Sequence, residues 1–444
     1  MKRILFVLFL LSRFMYTFST DFLTIYNRDQ ALYRTTIELD LSRGIQFISY
    51  DDIPSTIISE SVIFLPSNRN VQLFSQNFEY DLSNTQKMMQ RYINRSVMLS
   101  TDTETFSGLL VFFDFGNYGL LNSTTNELNI INSSKVNNVL LSEMPSDFYS
   151  RPTLRWQLQS ERAGKFSADL SYLMYGIDWR ATYNVVLGSN TFSFNSWVTI
   201  NNRSGKDYKN VRLKLISGDV STHLQQQMYR TSSDMAMASF GRMEAAPSFE
   251  ERAFSDLRMF TLDLPADIDN NQEKQLTLYP VQTVNYAKKY QYAVQSSDVD
   301  VFITFRNSTA AGLGLALPRG NVNFYEVDDS DGTQQFVGVS RLENTSLNQD
   351  VELRIGSAFD IVAETQVLNF QSSGRVRETE FEVTVTNNKS EAVEIEIIRR
   401  VGNTNVEILN SSISAEKKDA FTHVFRLNLN SGATERLTFL ERIM

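Results

Sequence analysis

Along most of this chain apolar and polar residues alternate with a period of two. In "IDWRATYNVVL" (177–187) Ile177, Trp179, Ala181, Tyr183, Val185 and Leu187 fall on one side, and Asp178, Arg180, Thr182 and Asn184 on the other. Successive side chains of a strand point to opposite faces, so this spelling predicts a half-buried strand with its rings inside and its charges outside. The same alternation in "FLTIYN", "LYRTTIELDL", "GIQFISYDDIP", "ESVIFLP" and "NVQLFSQNFEYDL" predicts a compact N-terminal β domain over residues 20–82. Its inward residues would include Ile25, Ile37, Leu39, Ile45 and Phe47.

Period two gives way near residue 84. Ser83 with Gln86 three residues on makes a capping-box signature, and Met89, Tyr92 and Ile93 share one helical face, so a short helix is predicted near 84–94. Short strands follow, giving a helix plus small β module over 83–149. A central β domain is expected over 150–364, where "PTLRWQLQS", "GKFSADLSYLMYG" and "IDWRATYNVVL" read as a meander and Val211, Leu213 and Leu215 share one face. Alternation vanishes in "STHLQQQMYRTSSDMAMASFGRMEAAPSFEERA", which reads as an irregular insertion over 221–253. Asp331-Gly332 between alternating runs predicts a tight hairpin. From 365 to 444 clean alternation in "RETEFEVTVTNN" and "AVEIEIIRRV" predicts a C-terminal Ig-like β-sandwich. The fold class is therefore mainly β: several antiparallel sandwich or barrel-like domains in series, with one short helix.

The first residues change the picture of where such a protein works. Lys2 and Arg3 precede the apolar run "ILFVLFLL" and "TFS" (17–19) offers small residues for cleavage, so residues 1–19 read as a signal peptide. No later stretch approaches the length of a membrane span. Losing Lys2, Arg3 and Arg13 with that peptide moves the net charge from −9 to −12. Such a balance disfavours nucleic acid and anionic lipid surfaces as partners. The chain has no cysteine, which excludes disulfides, thiolate nucleophiles and zinc–cysteine sites. Sequons at Asn94, Asn122, Asn132, Asn202, Asn307, Asn344, Asn388 and Asn410 would accept glycans in a host that attaches them, although a chain this rich in Asn, Ser and Thr carries nearly as many by chance.

Catalytic spellings are scarce. His223 and His423 are the two histidines and stand far apart in sequence, which excludes an H-E-x-x-H protease. There is no G-x-S-x-G elbow. "GLGLALPRG" lacks the third glycine of a dinucleotide loop, and its glycines read instead as a turn delivering Leu315 and Leu317 into a core. The cluster Asp328, Asp329 and Asp331 misses EF-hand spacing. No cofactor is implied. The best candidate ligand surface is aromatic, with Trp156 and Trp197 as platforms and Asp178 and Arg180 to orient a polar group.

Read in order, "LTIYN", "FEYDL…MMQRYINRSV", "RPTLRWQLQS", "LSYLMYGIDWRATYNVVL", "WVTINNRSGKDYKNVRLKLISGDV", "LGLALPRGNVNFYE" and "IGSAFDIVAE" resemble the domain-of-unknown-function family 4139, with Y-x-x-x-G-I-x-W-x-A-x-Y as the specific signature. The resemblance implies a secreted or envelope β-rich protein with an N-terminal β domain, a central β-rich region and a C-terminal sandwich. It carries no catalytic residues to transfer. The sequence departs from the family in having only a short helix where many relatives have long coiled coils, and in placing Asn94 where relatives show glycine. Asn tolerates the left-handed conformation that a helix end asks for.

These readings converge on a non-enzymatic protein that is secreted, periplasmic or on the cell surface. It would act by binding a surface protein or glycan, or by self-association. The rival is an extracellular hydrolase using paired carboxylates under a lid of residues 221–253; a second alternative is a structural subunit of a surface layer or filament.

Overall fold

A computed structural model describes residues 21–80, 85–114, 116–142, 148–218, 249–402 and 406–443. The expected signal peptide, Ser83 of the capping box, His223 and residues 221–248 of the expected insertion lie outside the described residues. The chain is mainly β and divides into two compact units, one built from residues 1–178, 201–215 and 264–274 and the other from the remainder.

In the first unit the strands Tyr208–Ser217, Phe22–Tyr26, Gln30–Leu41, Gly164–Tyr175 and Ile63–Pro66 follow one another across one sheet. A second sheet places Thr153–Ser160 between Gly44–Tyr50 and Val71–Glu79. The two pack through rings: Trp156 lies 4.5 Å from Phe64 of the first sheet, and within its own sheet 6.0 Å from Tyr50, centroid to centroid. Ile25, Ile37 and Leu39 are buried as predicted. Ile45 and Phe47 are not, being 62% and 54% exposed. Alternation defines two faces without saying which is inside, and here the ring of Tyr50, of opposite parity, turns inward onto Trp156. Arg155 covers the outward Phe47 ring at 4.3 Å.

The module between these strands has its own core. Helix Thr85–Gln90 sets Met89, with Tyr92 beyond it, against Val97, Leu99, Leu110 and Leu120 of a five-stranded sheet. Ile93 lies past the helix and is exposed, so it does not share one face with the buried Met89 and Tyr92. Asn94 does take the left-handed conformation (φ 64°), and its N–H reaches the Leu110 carbonyl at 2.7 Å.

The second unit contains a five-stranded sheet in the order Gln272–Asn285, Thr191–Asn202, Ile177–Leu187, Gly320–Val327, Gln334–Leu342. Ile177–Leu187 runs parallel to Gly320–Val327, a partner the expected meander does not foresee. The expected insertion ends earlier than its boundary at 253, because Phe249–Phe254 is a strand paired with Leu257–Leu262. The 320–342 hairpin forms, but through a longer loop than a two-residue turn: the Asp328 N–H bonds the Thr333 carbonyl at 2.8 Å and Gly332 takes φ 75°.

The last element is a two-sheet sandwich, and it starts earlier than residue 365. Val299–Arg306, Ala287–Ala293 and Asp350–Ser357 join Val393–Arg400 and Thr422–Leu429 in one sheet. The other runs Ile361–Ser373, Val376–Asn387, Thr434–Ile443, Val406–Leu409. Tyr292, Val383, Ile395, Phe425 and Phe439 fill the space between them.

Candidate functional site

The aromatic surface expected from sequence does not assemble. Trp156 has no exposed area and its indole N–H is bonded to Gln76 Oε1 at 2.7 Å, so it cannot serve as a platform. Trp197 is half-buried on the Thr191–Asn202 strand. Asp178 and Arg180 lie on the outer face of their strand as alternation requires; Asp178 is ion-paired with Arg203 at 3.2 Å and Arg180 is exposed. Two of the sequons are corrected as well. Asn202 is buried, and its amide nitrogen donates to the Lys206 and Ile268 carbonyls at 2.9 and 3.1 Å. Asn307 is buried too, donating to Leu315 and Ser346 and accepting from the N–H groups of Gly314 and Leu315. An amide so engaged has no room for a glycan. Asn94, Asn132, Asn344, Asn388 and Asn410 are exposed and Asn122 is half-buried.

What the second unit does build is a half-open cavity of about 290 Å³. One wall is Ser217 and Gly218 at the end of a strand; a second comes from the Ser255–Asp256 turn and Arg258; the third is the pair of loops carrying Leu317 and Thr345. Each wall has an identifiable fixing. Trp179 is buried, as alternation predicts, and its indole N–H holds the Ile216 carbonyl at 3.2 Å. Tyr183 donates to the Pro318 carbonyl at 2.6 Å and Tyr279 to that of Ala316 at 2.7 Å. Between those two anchors Leu317 exchanges backbone hydrogen bonds with Thr345 at 3.0 and 2.9 Å. Asn344 accepts from the Ser217 hydroxyl at 3.0 Å and the Arg319 N–H at 2.8 Å, tying two walls together. The rings of the signature strand thus pack the interior, while their polar tips hold the cavity wall.

"GLGLALPRG" supplies the lip. Gly312 (φ 95°) and Gly314 (φ 75°) turn the chain, and a Cβ on Gly312 would sit 2.0 Å from the Thr283 carbonyl oxygen. The turn buries Leu317, as expected, and Leu313, while Leu315 is half-buried.

Chemically the cavity is a hydrogen-bonding site over an apolar floor. Phe260 and Leu317 give the floor; Ser217, Ser255, Thr345 and Ser346 bring hydroxyls; Arg258 and Asp256 bring one charge of each sign. Arg258 is held at 2.8 Å by Glu251. Burial, and after it the Glu251 charge, pushes the Tyr279 phenol up, against a smaller opposing pull from Arg258, so it stays a neutral donor to Ala316. Among the described residues no three His, Cys, Asp or Glu stand together as a metal site. His423 lies on the Thr422–Leu429 strand of the sandwich and takes no part in the cavity. The Asp328 and Asp331 carboxylates cap their own loop by accepting from Ser330 and Thr333.

Sequence reasoning missed this cavity because its walls come from three segments that no local period connects. The available signal was chemical: two sequon asparagines, Asn307 and Asn344, flank the "GLGLALPRG" turn in sequence, and both act as hydrogen-bonding hubs for the loops around it.

Among the described residues no helix is long and apolar enough to cross a membrane. No curated protein matches the chain. A family model does, over residues 168–440, a span that takes in the signature strand, the described cavity walls and all but the last few residues of the sandwich. The chain belongs to the family described as Domain of unknown function (DUF4139).

Proposed function

We propose that this is a secreted or envelope-associated β protein that acts by binding, and that the cavity beside Arg258 takes a polar group from a glycan or protein at the cell surface. The observation that carries the reading is the lining: hydroxyls, an amide-tethered wall, and one arginine and one aspartate beside Phe260 and Leu317. Sugar-sized ligands are held by this mixture of an apolar floor and a few fixed polar groups. The cavity is small for a drug-sized ligand and suits one or two sugar rings or a short polar side chain. The hydrolase alternative asks for two carboxylates facing each other across a cleft; among the described lining residues Asp256 is the one carboxylate.

The test is a glycan and peptide binding panel on the purified protein, with Arg258→Ala and Asp256→Asn beside the parent. Binding that is lost in Arg258→Ala, with the thermal transition kept, supports the reading. Turnover of a glycan that stops in Asp256→Asn would replace it with the hydrolase. No binding and no turnover across the panel would remove the cavity as a functional site.

A further inference from the structure

We propose that the protein self-associates through the strand Ile361–Ser373, pairing antiparallel with the same strand of a second copy. This is independent of the cavity reading. The strand is the terminal member of its four-stranded sheet, bonded on one side to Val376–Asn387. Residues 366–373 are all exposed, and they include Val367, Leu368 and Phe370, each at least half exposed. An edge like this carries a row of backbone N–H and C=O groups that no strand among the described residues takes up, which is a template for another strand.

Comparison with the other terminal strands of the same unit singles this one out. Edges are ordinarily guarded by charge, proline or a covering element. Asp350–Ser357 carries Asp350, Glu352 and Arg354; Val406–Leu409 carries Glu407; Glu416–Lys417 is wholly charged; Gln272–Asn285 contains Pro280. Gln334–Leu342 has exposed apolar residues, but it lies against Asp350–Ser357, so close that a Cβ on Gly338 would sit 2.0 Å from the Ile355 carbonyl oxygen. From Thr365 to Ser373 there is no charge and no proline.

The choice of a second copy as occupant rests on the charges that flank this neutral stretch. Glu364 precedes it, and Arg375 and Arg377 follow it. An antiparallel pair of identical strands sets the beginning of one against the end of the other, so each Glu364 approaches an arginine end, and the two-fold closes the contact without leaving a free edge. A parallel stack would instead put like charges together. A bulge between Val367 and Asn369 bends the strand there and leaves Asn369–Ser373 in regular register with its neighbour. The contact is therefore short, and a weak, concentration-dependent dimer is the form it takes.

Sedimentation equilibrium of the purified protein over a concentration series reads this directly. A monomer–dimer equilibrium is expected. Phe370→Lys places like charges across the two-fold and should raise the dissociation constant about a hundredfold. Glu364→Arg and Arg375→Glu should each weaken the dimer, and the double variant should recover it, an outcome that misfolding cannot imitate. A parent protein monomeric at every soluble concentration overturns the proposal. So does association that Phe370→Lys leaves unchanged.

Discussion

Arg399 grips Glu441 with two prongs inside the last sandwich, Nε to Oε2 at 2.5 Å and Nη2 to Oε1 at 2.8 Å. The carboxylate is 1% exposed, and the guanidinium lies 4.9 Å above the ring of Phe381. A buried ion pair adds little net stability, because desolvation offsets attraction, yet removing one partner strands the other. Glu441→Ala should therefore cost about 3–5 kcal/mol in urea unfolding, while Arg399→Met with Glu441→Leu should recover most of it. A single variant near parental stability would show that the pair is open to water.

His423 stands next to this pair, across from Arg399 on one side and Lys417 on the other. Its Nδ1 is buried without a hydrogen-bond partner. Burial first, and then the Lys417 charge, pull the imidazole below its ordinary value of 6.5, against the opposing pull of Glu441 and Asp419. A group whose folded pKa is depressed binds protons better when unfolded, so its contribution is intact above about 6.5 and is lost as pH falls below that. The melting temperature should decline between about pH 7 and pH 5.5, where most carboxylates are still ionised, and His423→Gln should flatten the decline. Parallel curves for the two proteins would sink the assignment.

The buried sequons give a contrast within one sequence motif. Asn307 satisfies two carbonyls and two N–H groups, so Asn307→Ala leaves four partly buried backbone groups without that partner and should cost about 2–3 kcal/mol. Asn388 is exposed, and Asn388→Gln should stay within about 0.5 kcal/mol of the parent. Glycopeptide mapping of protein made in a glycosylating host should find Asn202 and Asn307 unmodified. A glycan on either one in folded protein would contradict the packing.

These cases also mark what could be read in the sequence. Period two placed Trp179 and Tyr183 inside and Asp178 and Arg180 outside, and the strand obeys it throughout. The same period put Ile45 and Phe47 on the wrong face, because parity becomes inside or outside only once a partner such as Trp156 is known. Strand partners were less legible still. Thr153–Ser160 pairs with Gly44–Tyr50 and Val71–Glu79, not with the strand that follows it, which merges the expected N-terminal domain with part of the central one. Nothing local encodes such a long-range choice. For the same reason the sandwich takes Ala287–Ala293 and Val299–Arg306 from the expected central domain; Tyr292 and Val299 complete a core that residues 365–444 do not fill alone.

Trp179 separates ring from hydrogen bond. Trp179→Ala removes a fully enclosed indole and should cost about 3–5 kcal/mol. Trp179→Phe keeps much of the volume but frees the Ile216 carbonyl, and about 1–2 kcal/mol is expected from that group alone. Urea denaturation of both variants should show the ordering; a Trp179→Phe protein as stable as the parent would mean that the indole N–H contributes nothing.

Tyr183 and Tyr279 allow the cavity wall to be loosened without emptying the core. Their hydroxyls hold the carbonyls of Pro318 and Ala316, on either side of Leu317, whose own N–H and C=O bond Thr345. Phenylalanine at both positions keeps the rings, so the stacking of residue 183 on Phe194 at 5.1 Å and the edge contact of residue 279 with Phe260 at 6.4 Å should survive. The two carbonyls would then have to find water. Each substitution should cost about 1–2 kcal/mol globally. The sharper effect is local: with both anchors gone, the Leu317 and Thr345 amides should exchange with solvent faster than the global loss explains, because opening of the lip no longer breaks two side-chain bonds. Amide exchange that rises in proportion to global stability alone would show that the lip is held by its backbone bridge and glycine turn, and that the tyrosine hydroxyls are passengers.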